Sequence, residues 1–260
     1  MDLQLAGKKA LVMGGSKGLG LASAEALAAE GCAIALSSRD PAAAAAALAE
    51  RFGVAVHAIA ADAGSAAAID TLAEQAAARL GGVDIVILNH GGPPPCTAVE
   101  MTAEQLDSWY RIIVAHPIRL AMQLLPAMRA QKFGRIIAVG SAGMIQPIPN
   151  LALSNTLRAA IVGWTKTLSS EVAIDGVTVN VLAPGAIRTD RSLQTAGANA
   201  AREGIGAEEW IRRRAANIPA GRYGTPTEFG ALAAFLASPL ASYVTGTVMR
   251  ADGGMVRSVG

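Results

Sequence analysis

The sequence predicts an α/β fold in which a single, doubly wound parallel sheet carries helices on both faces. Short apolar runs alternate with longer alanine-rich stretches along the chain, which is typical of parallel strands connected by helices. Hydrophobic residues make up 52% of the 260 residues and charged residues 16%, so the chain is too apolar to be disordered. Because nothing between the two halves resembles a linker, we expect one domain over residues 1–260.

Short apolar runs predict the strands of this sheet. They are Lys9–Met13, Ala33–Ser37, Val54–Ile59, Val83–Leu88, Arg135–Val139, Val177–Leu182 and Val248–Ala251. The first connecting helix is expected at Leu21–Glu30, and Pro41 opens an alanine-rich helix at a position where its missing N–H costs little. A longer helix is expected over Leu106–Met128, with a kink at Pro117 because proline leaves the carbonyl of Ile113 without its donor.

The charge and cysteine content exclude several classes of function. The 22 Lys and Arg residues nearly balance the 20 Asp and Glu residues and form no dense basic block, which argues against a nucleic-acid-binding protein. The 2 cysteines and 3 histidines are too few and too scattered for a disulfide scaffold or a transition-metal site. No apolar run approaches the roughly 18 residues that span a bilayer, and no signal peptide precedes the first strand, so we expect a cytoplasmic protein.

Glycines between the first strand and the first helix predict a dinucleotide-binding site. Gly14, Gly18 and Gly20 allow a tight turn and a close approach of the backbone to a pyrophosphate, whose charge the helix N-terminus stabilises. The strand before them and the helix after them supply the βαβ context that this motif requires. We therefore expect the sheet to be of the Rossmann type.

The end of the second strand favours NADP(H) over NAD(H). Ser37, Ser38 and Arg39 stand where a carboxylate would otherwise bind the ribose 2′-hydroxyl of NAD. The guanidinium of Arg39 is suited to pairing with a 2′-phosphate, and Lys17 in the glycine loop adds a second cation. The alternative, that Arg39 is only a surface residue before a helix, stays open.

These residues give the chain a resemblance to the short-chain dehydrogenase/reductase family over essentially its full length, in particular to 3-oxoacyl-carrier-protein reductase-like members. Residues Gly14–Gly20 match the family's TGxxxGxG loop with Met13 at the threonine position, and Pro184–Thr189 match its PGxIxT motif. Asp252–Gly254 resemble its C-terminal signature. The resemblance implies a cofactor bound by Gly14, Ser16, Lys17, Gly18, Leu19, Gly20, Ser38, Arg39, Asp62, Ala63, Asn89, Gly91, Arg158, Pro184, Gly185, Ile187 and Thr189.

The same resemblance implies a catalytic set of Asn, Ser, Tyr and Lys, and this sequence has neither the tyrosine nor the lysine. Ser141 falls on the serine position, but Ser154 stands at the tyrosine position and Arg158 at the lysine position. Ser154 and Arg158 are spaced i, i+4 on one predicted helix and therefore share a face. Because an aliphatic hydroxyl is a far weaker acid than a phenol, the loss of a positioned general acid is expected to lower the rate by about 10²–10⁴.

Two histidines are candidates for the missing proton donor. The asparagine position of the family falls on His116, and histidine is a common proton donor in enzymes. The alternative is a helix histidine bonded to backbone. His90 follows the fourth strand at the sheet edge where ligands bind, and the alternative is a loop histidine facing solvent.

The resemblance implies an NADP(H)-dependent oxidoreductase of a small hydroxyl or carbonyl compound, with Ser141 and Ser154 binding the reacting oxygen and Arg158 stabilising its negative charge. Two alternatives stay open: a catalytically silent nucleotide-binding subunit that pairs with an active relative, and a non-redox lyase or isomerase on the same scaffold. The family usually assembles as a tetramer or dimer, so a homo-oligomer, with a tetramer foremost, is expected.

The polar segment 189–206 predicts a flexible lid over the substrate cleft.

Overall fold

Within residues 1–259, which the computed structural model describes, seven strands form one parallel sheet. The strands are β1 (Lys9–Met13), β2 (Ala33–Ser38), β3 (Val56–Ala60), β4 (Ile85–Leu88), β5 (Gly134–Val139), β6 (Val177–Pro184) and β7 (Val248–Ala251). Their order across the sheet is β3-β2-β1-β4-β5-β6-β7, and every neighbouring pair is parallel. The predicted fold class is confirmed, and the bounds predicted for β1 and β7 agree with the structure.

Helices cover both faces of this sheet. They are α1 (Gly18–Ala29), α2 (Ala42–Phe52), α3 (Ala66–Leu80), α4 (Ala103–Tyr110), α5 (His116–Ala130), α6 (Ala152–Val172), α7 (Asp190–Glu203), α8 (Ala207–Ala215) and α9 (Pro226–Ala237). On one face, Leu72 of α3 and Leu157 of α6 pack with Leu11 of β1. On the other face, Leu27 of α1 and Phe229 of α9 belong to a second buried cluster. None of the helices in the described part of the chain is both long and apolar enough to cross a membrane.

The strand order reverses beside β1, whose neighbours in the sheet are β2 and β4. Connections that leave β1 and β4 therefore diverge and open a crevice outside the carboxyl ends of these strands. Ligands of open α/β sheets bind in such a crevice. The glycine loop after β1 and the segment that begins with Asn89 after β4 both lie at this edge.

The long helix predicted over Leu106–Met128 is divided by a π-helical turn. The helix α4 ends at Tyr110, the π turn spans Arg111–Ala115, and α5 begins at His116 with Pro117 in its first turn. Proline has no N–H to donate into the preceding turn, so the irregularity precedes Pro117, as the sequence predicts. A π turn inserts one residue into the helical ladder, and this changes which side chains face the sheet after it.

Residues 189–206, predicted as a flexible lid, fold largely as the helix α7. The hydroxyl of Thr189 accepts a hydrogen bond from the Ser192 N–H at 3.3 Å, and the Ser192 hydroxyl accepts one from the Thr189 N–H at 2.9 Å. Such reciprocal caps satisfy N–H groups that the first turn of a helix leaves unpaired. Gly204 ends α7 in the left-handed conformation, with φ 67°.

Candidate active site

The glycine loop packs so tightly against the end of β4 that side chains are excluded from it. A Cβ at Gly20 would lie 2.1 Å from the carbonyl oxygen of Gly14, and a Cβ at Gly14 would lie 2.8 Å from that of Asn89. The amide Nδ2 of Asn89 donates a hydrogen bond to the Gly14 carbonyl at 2.9 Å, which ties the loop to β4. Lys17 is the N-cap residue of α1, and within the described residues no side chain caps that helix, so its first N–H groups can bind a phosphate.

The residues at the end of β2 fit a polar cofactor group. The Ser38 hydroxyl oxygen is buried and has no hydrogen-bond partner among the described residues. Native structures satisfy nearly all buried hydroxyls, so a ligand atom is a natural partner for this one. Arg39 is exposed beside it, and Asp62, after β3, accepts a hydrogen bond from the Gly64 N–H at 2.9 Å.

The segment after β6 returns to the glycine loop. A Cβ at Gly18 would lie 3.7 Å from Cγ2 of Thr189, so the two segments are in near contact. A Cβ at Gly185 would lie 2.7 Å from the Cα of Asp252, which explains why glycine follows Pro184 here. The structure thus brings the three predicted cofactor segments to one crevice.

The predicted catalytic residues of β5 and α6 lie beside this crevice. Ser141 follows β5, and its hydroxyl accepts a hydrogen bond from the Gly143 N–H at 3.1 Å. Ser154 and Arg158 lie near the start of α6 and are both 9% exposed. The Arg158 guanidinium donates from Nη1 to the Val139 carbonyl oxygen, which is the last of β5. Burial, with a smaller contribution from the positive charge of Arg191, lowers the pKa of Arg158 to about 10, so it remains a cation at neutral pH.

His116 is bonded to the backbone of the segment that follows β3. Its Nδ1 lies 2.6 Å from the carbonyl oxygen of Ala63, and its side chain is 5% exposed. Ile113, from the π turn, and Pro117, from the first turn of α5, line a small cavity together with Arg158. The contact of His116 agrees with the alternative that the sequence leaves open, a helix histidine bonded to backbone, and its catalytic role stays a prediction.

His90 lines the same cavity as Arg158 and is partly buried. Its Nδ1 lies 2.6 Å from the Gly91 carbonyl oxygen, so in the neutral ring Nδ1 carries the hydrogen and Nε2 is an acceptor. Burial and the positive charges of Arg158 and Arg191 lower the pKa of His90 to about 3. At neutral pH His90 is therefore a neutral imidazole.

Sequence reasoning missed Arg191, which lies in the first turn of α7. Its Nη2 donates a hydrogen bond to the Pro93 carbonyl oxygen at 3.1 Å, and a Cβ at Gly92 would lie 2.8 Å from the same nitrogen. The helix α7 therefore packs over the segment that follows β4. The sequence feature that could have indicated Arg191 is its position two residues after the PGxIxT motif, because the segment that follows this motif lies at the crevice.

Comparison with known proteins identifies the family of this chain. A family model described as enoyl-(acyl carrier protein) reductase matches residues 14–256. The chain is 34% identical over 251 residues to 3-oxoacyl-(acyl-carrier-protein) reductase FabG of Escherichia coli K12, which covers 96% of this chain and 97% of that protein. The chain belongs to the short-chain dehydrogenase/reductase family. Another member, D-beta-hydroxybutyrate dehydrogenase of Cupriavidus necator, is 34% identical over 255 residues, covering 97% of this chain and 99% of that one.

Solved structures of family members share the whole fold. L-sorbose reductase of Gluconobacter frateurii, complexed with NADPH and L-sorbose, superposes with a TM-score of 0.95 and 33% identity and covers 100% of both chains. YwfH, an NADPH-dependent reductase involved in bacilysin biosynthesis, gives a TM-score of 0.92 at 29% identity and covers 97% of this chain and 99% of its own. The predicted family resemblance is thereby confirmed, and the roles assigned to single residues stay predictions.

Proposed function

We propose that this protein is an NADP(H)-dependent oxidoreductase that interconverts a small carbonyl compound and the corresponding alcohol. The observation that carries the proposal is the glycine loop, in which Gly14 and Gly20 allow a backbone contact that no side chain permits. Relatives support it as well, since the L-sorbose reductase structure contains NADPH and YwfH is an NADPH-dependent reductase. When bound, the nicotinamide supplies or accepts a hydride.

Different parts of the crevice would hold different parts of the dinucleotide. The loop Gly14–Gly20 and the first turn of α1 suit the pyrophosphate, with Lys17 as a nearby cation. The unpartnered Ser38 hydroxyl and the exposed Arg39 suit a 2′-phosphate, which favours NADP(H) over NAD(H). The remaining cofactor contacts are assigned to Ser16, Leu19, Asp62, Ala63, Asn89, Gly91, Arg158, Pro184, Gly185, Ile187 and Thr189.

The catalytic roles follow from the chemistry of Ser141, Ser154 and Arg158. The two hydroxyls bind the reacting oxygen of the substrate, and Arg158 stabilises the negative charge that develops on it during reduction. A guanidinium has five N–H donors, and a bond to the Val139 carbonyl uses only one nitrogen of Arg158. Because Arg158 stays charged and His90 stays neutral, the proton comes from water.

Binding and turnover measurements test this function and its alternatives. Calorimetry is expected to give a lower Kd for NADPH than for NADH, and a screen of ketones is expected to find one that oxidises NADPH. Absence of binding overturns the proposal. Binding without turnover indicates a silent nucleotide-binding subunit, and substrate conversion without a change in nicotinamide absorbance indicates a lyase or isomerase.

Serine variants on α6 test the assignment of the active site. Ser154→Ala is expected to lower kcat by about 10²–10³, as loss of an oxyanion donor does. Ser170→Ala is the matched control, since Ser170 is exposed near the other end of the same helix. Equal kcat values for the two variants would remove Ser154 from the mechanism.

A further inference from the structure

The candidate active site holds two arginines that no carboxylate of the described residues neutralises. Within residues 1–259, no Asp or Glu lies at ion-pair distance from Arg158 or Arg191. By contrast, Arg188, at the start of the same segment as Arg191, pairs with Glu208 at 3.3 Å. Arg158 donates a hydrogen bond to the Val139 carbonyl, and Arg191 donates one to the Pro93 carbonyl. Because a carbonyl carries no net charge, these bonds do not neutralise the two guanidinium groups.

The two guanidinium groups act on the same part of the crevice. Arg158 lines the cavity that also contains His90, at the end of β4. Arg191 approaches from α7 over Gly92 and Pro93, which follow His90 closely in the chain. Both charges lower the pKa of His90, and Arg191 lowers that of Arg158, so the groups share one electrostatic environment.

Neighbouring cations without a carboxylate partner favour an anionic ligand. A guanidinium out of bulk water carries a desolvation cost that a bound anion offsets. A carboxylate suits arginine in particular, because its two oxygens accept two parallel hydrogen bonds. Arg158 is 9% exposed, whereas Arg191 is exposed on α7, although partial burial still lowers the pKa of Arg191. Only Arg191 is therefore free to bind a group at the far end of a substrate.

We propose that the substrate is an oxo acid or hydroxy acid, whose carboxylate is bound by Arg191 while its reacting oxygen lies against Ser141, Ser154 and Arg158. The inference rests on the proposed oxidoreductase function and adds the substrate class to it. The pyrophosphate of the cofactor is the other anion near this edge, but the glycine loop and Lys17 already provide for it.

The test compares a carboxylic acid with its uncharged methyl ester. Calorimetry on the NADPH-loaded wild type is expected to give a Kd for acetoacetate or 2-oxobutanoate at least about tenfold below that of the matching ester, as expected for a charged hydrogen-bonded pair. If the acid and its ester bind equally in both pairs, the inference is overturned. This binding readout holds even if neither compound is reduced, so it is separate from the test of oxidoreductase activity.

Arginine variants of α7 assign the preference to Arg191. Arg191→Gln is expected to bring the acid-to-ester ratio of Kd values, and of kcat/KM where turnover occurs, close to one, and Arg191→Lys to retain part of the preference. Arg202→Gln is the matched control, because Arg202 is exposed in the last turn of the same helix. If Arg191→Gln instead weakens NADPH binding and leaves the ratio unchanged, Arg191 serves the cofactor and the inference is wrong.

Discussion

The Nη1 of Arg158 donates a hydrogen bond to the carbonyl oxygen of Val139, so a charged side chain of α6 is held against the last residue of β5. Ser141 follows Val139 by two residues, so this contact holds the guanidinium at the end of β5 from which the Ser141 segment leaves. A second arginine, Arg135, belongs to the same strand and is also buried, at 2% exposure. Its guanidinium donates to the carbonyls of Gly134, Gly176 and Ser238. Variants of Arg158 and Arg135 can therefore distinguish a loss of catalysis from a loss of stability.

Replacing Arg158 is expected to impair turnover more than folding. Arg158→Met removes the charge that stabilises the reacting oxygen, so kcat should fall by about 10²–10³. Arg135→Met leaves buried carbonyls without donors, so it should lower the free energy of unfolding by about 1–3 kcal/mol and leave kcat unchanged. Steady-state kinetics and urea unfolding of both variants check this. A normal kcat in Arg158→Met would exclude the proposed role.

Substitution of Gly20 is expected to abolish cofactor binding. In Gly20→Ala the new Cβ would lie 2.1 Å from the Gly14 carbonyl oxygen, which is backbone and has no room to move without opening the loop. Gly163→Ala, at an exposed site inside α6 with nothing within 4 Å of a Cβ, should instead raise the free energy of unfolding by about 0.5–1 kcal/mol. Calorimetry with NADPH and urea unfolding give the two readouts. An unchanged Kd in Gly20→Ala would show that the loop does not hold the cofactor.

The glycine loop also shows how far the sequence predicts the fold. The strand periodicity and the glycine spacing predict a parallel sheet and its nucleotide crevice, because strands that alternate with helices along a chain typically form a parallel sheet covered by those helices. The first helix begins at Gly18 rather than at the predicted Leu21. Glycine has a low helix propensity, so the sequence does not predict that Gly18 and Gly20 belong to a helix. The close packing of Gly20 on Gly14 overrides that propensity, and such a contact is visible only in three dimensions.

The catalytic positions were less predictable than the cofactor loop. The spacing of Ser154 and Arg158 is enough to place both on one face of α6. The sequence does not show that His116 bonds to the Ala63 carbonyl, 53 residues away, or that Ile113 of the π turn at Arg111–Ala115 lines the cavity. The position of Arg191 in the site could not be predicted, because its hydrogen-bond partner, Pro93, is 98 residues away and no local sequence pattern indicates that contact.

Arg39 is expected to determine the choice between the two nicotinamide dinucleotides. Arg39→Gln removes the cation beside the Ser38 hydroxyl, so the Kd for NADPH should rise by about 10–100-fold while that for NADH changes little. Arg51→Gln is the control, since Arg51 lies at the other end of the helix that follows and pairs with Glu25 at 3.1 Å. Calorimetry with both cofactors measures the effect. A parallel loss of affinity for NADH would assign Arg39 to a group that the two cofactors share.

His90 is expected to make the folded state sensitive to acid. Burial and the charges of Arg158 and Arg191 lower its pKa from 6.5 to about 3 in the folded protein. Between those two pH values the unfolded chain binds a proton that the folded one does not, so this residue makes stability rise with pH over that window. The slope from one such group is at most about 1.4 kcal/mol per pH unit.

His90→Gln removes this contribution and keeps a polar side chain beside the Gly91 carbonyl. Urea unfolding at pH 8, 7, 6 and 5 should show that the variant gains stability relative to the wild type as the pH falls below about 6.5. Carboxylates elsewhere titrate in both proteins and cancel in the difference. If the difference in unfolding free energy stays constant over this range, the folded protein does not lower the pKa of His90, and neither its burial nor the charges of Arg158 and Arg191 hold the ring neutral.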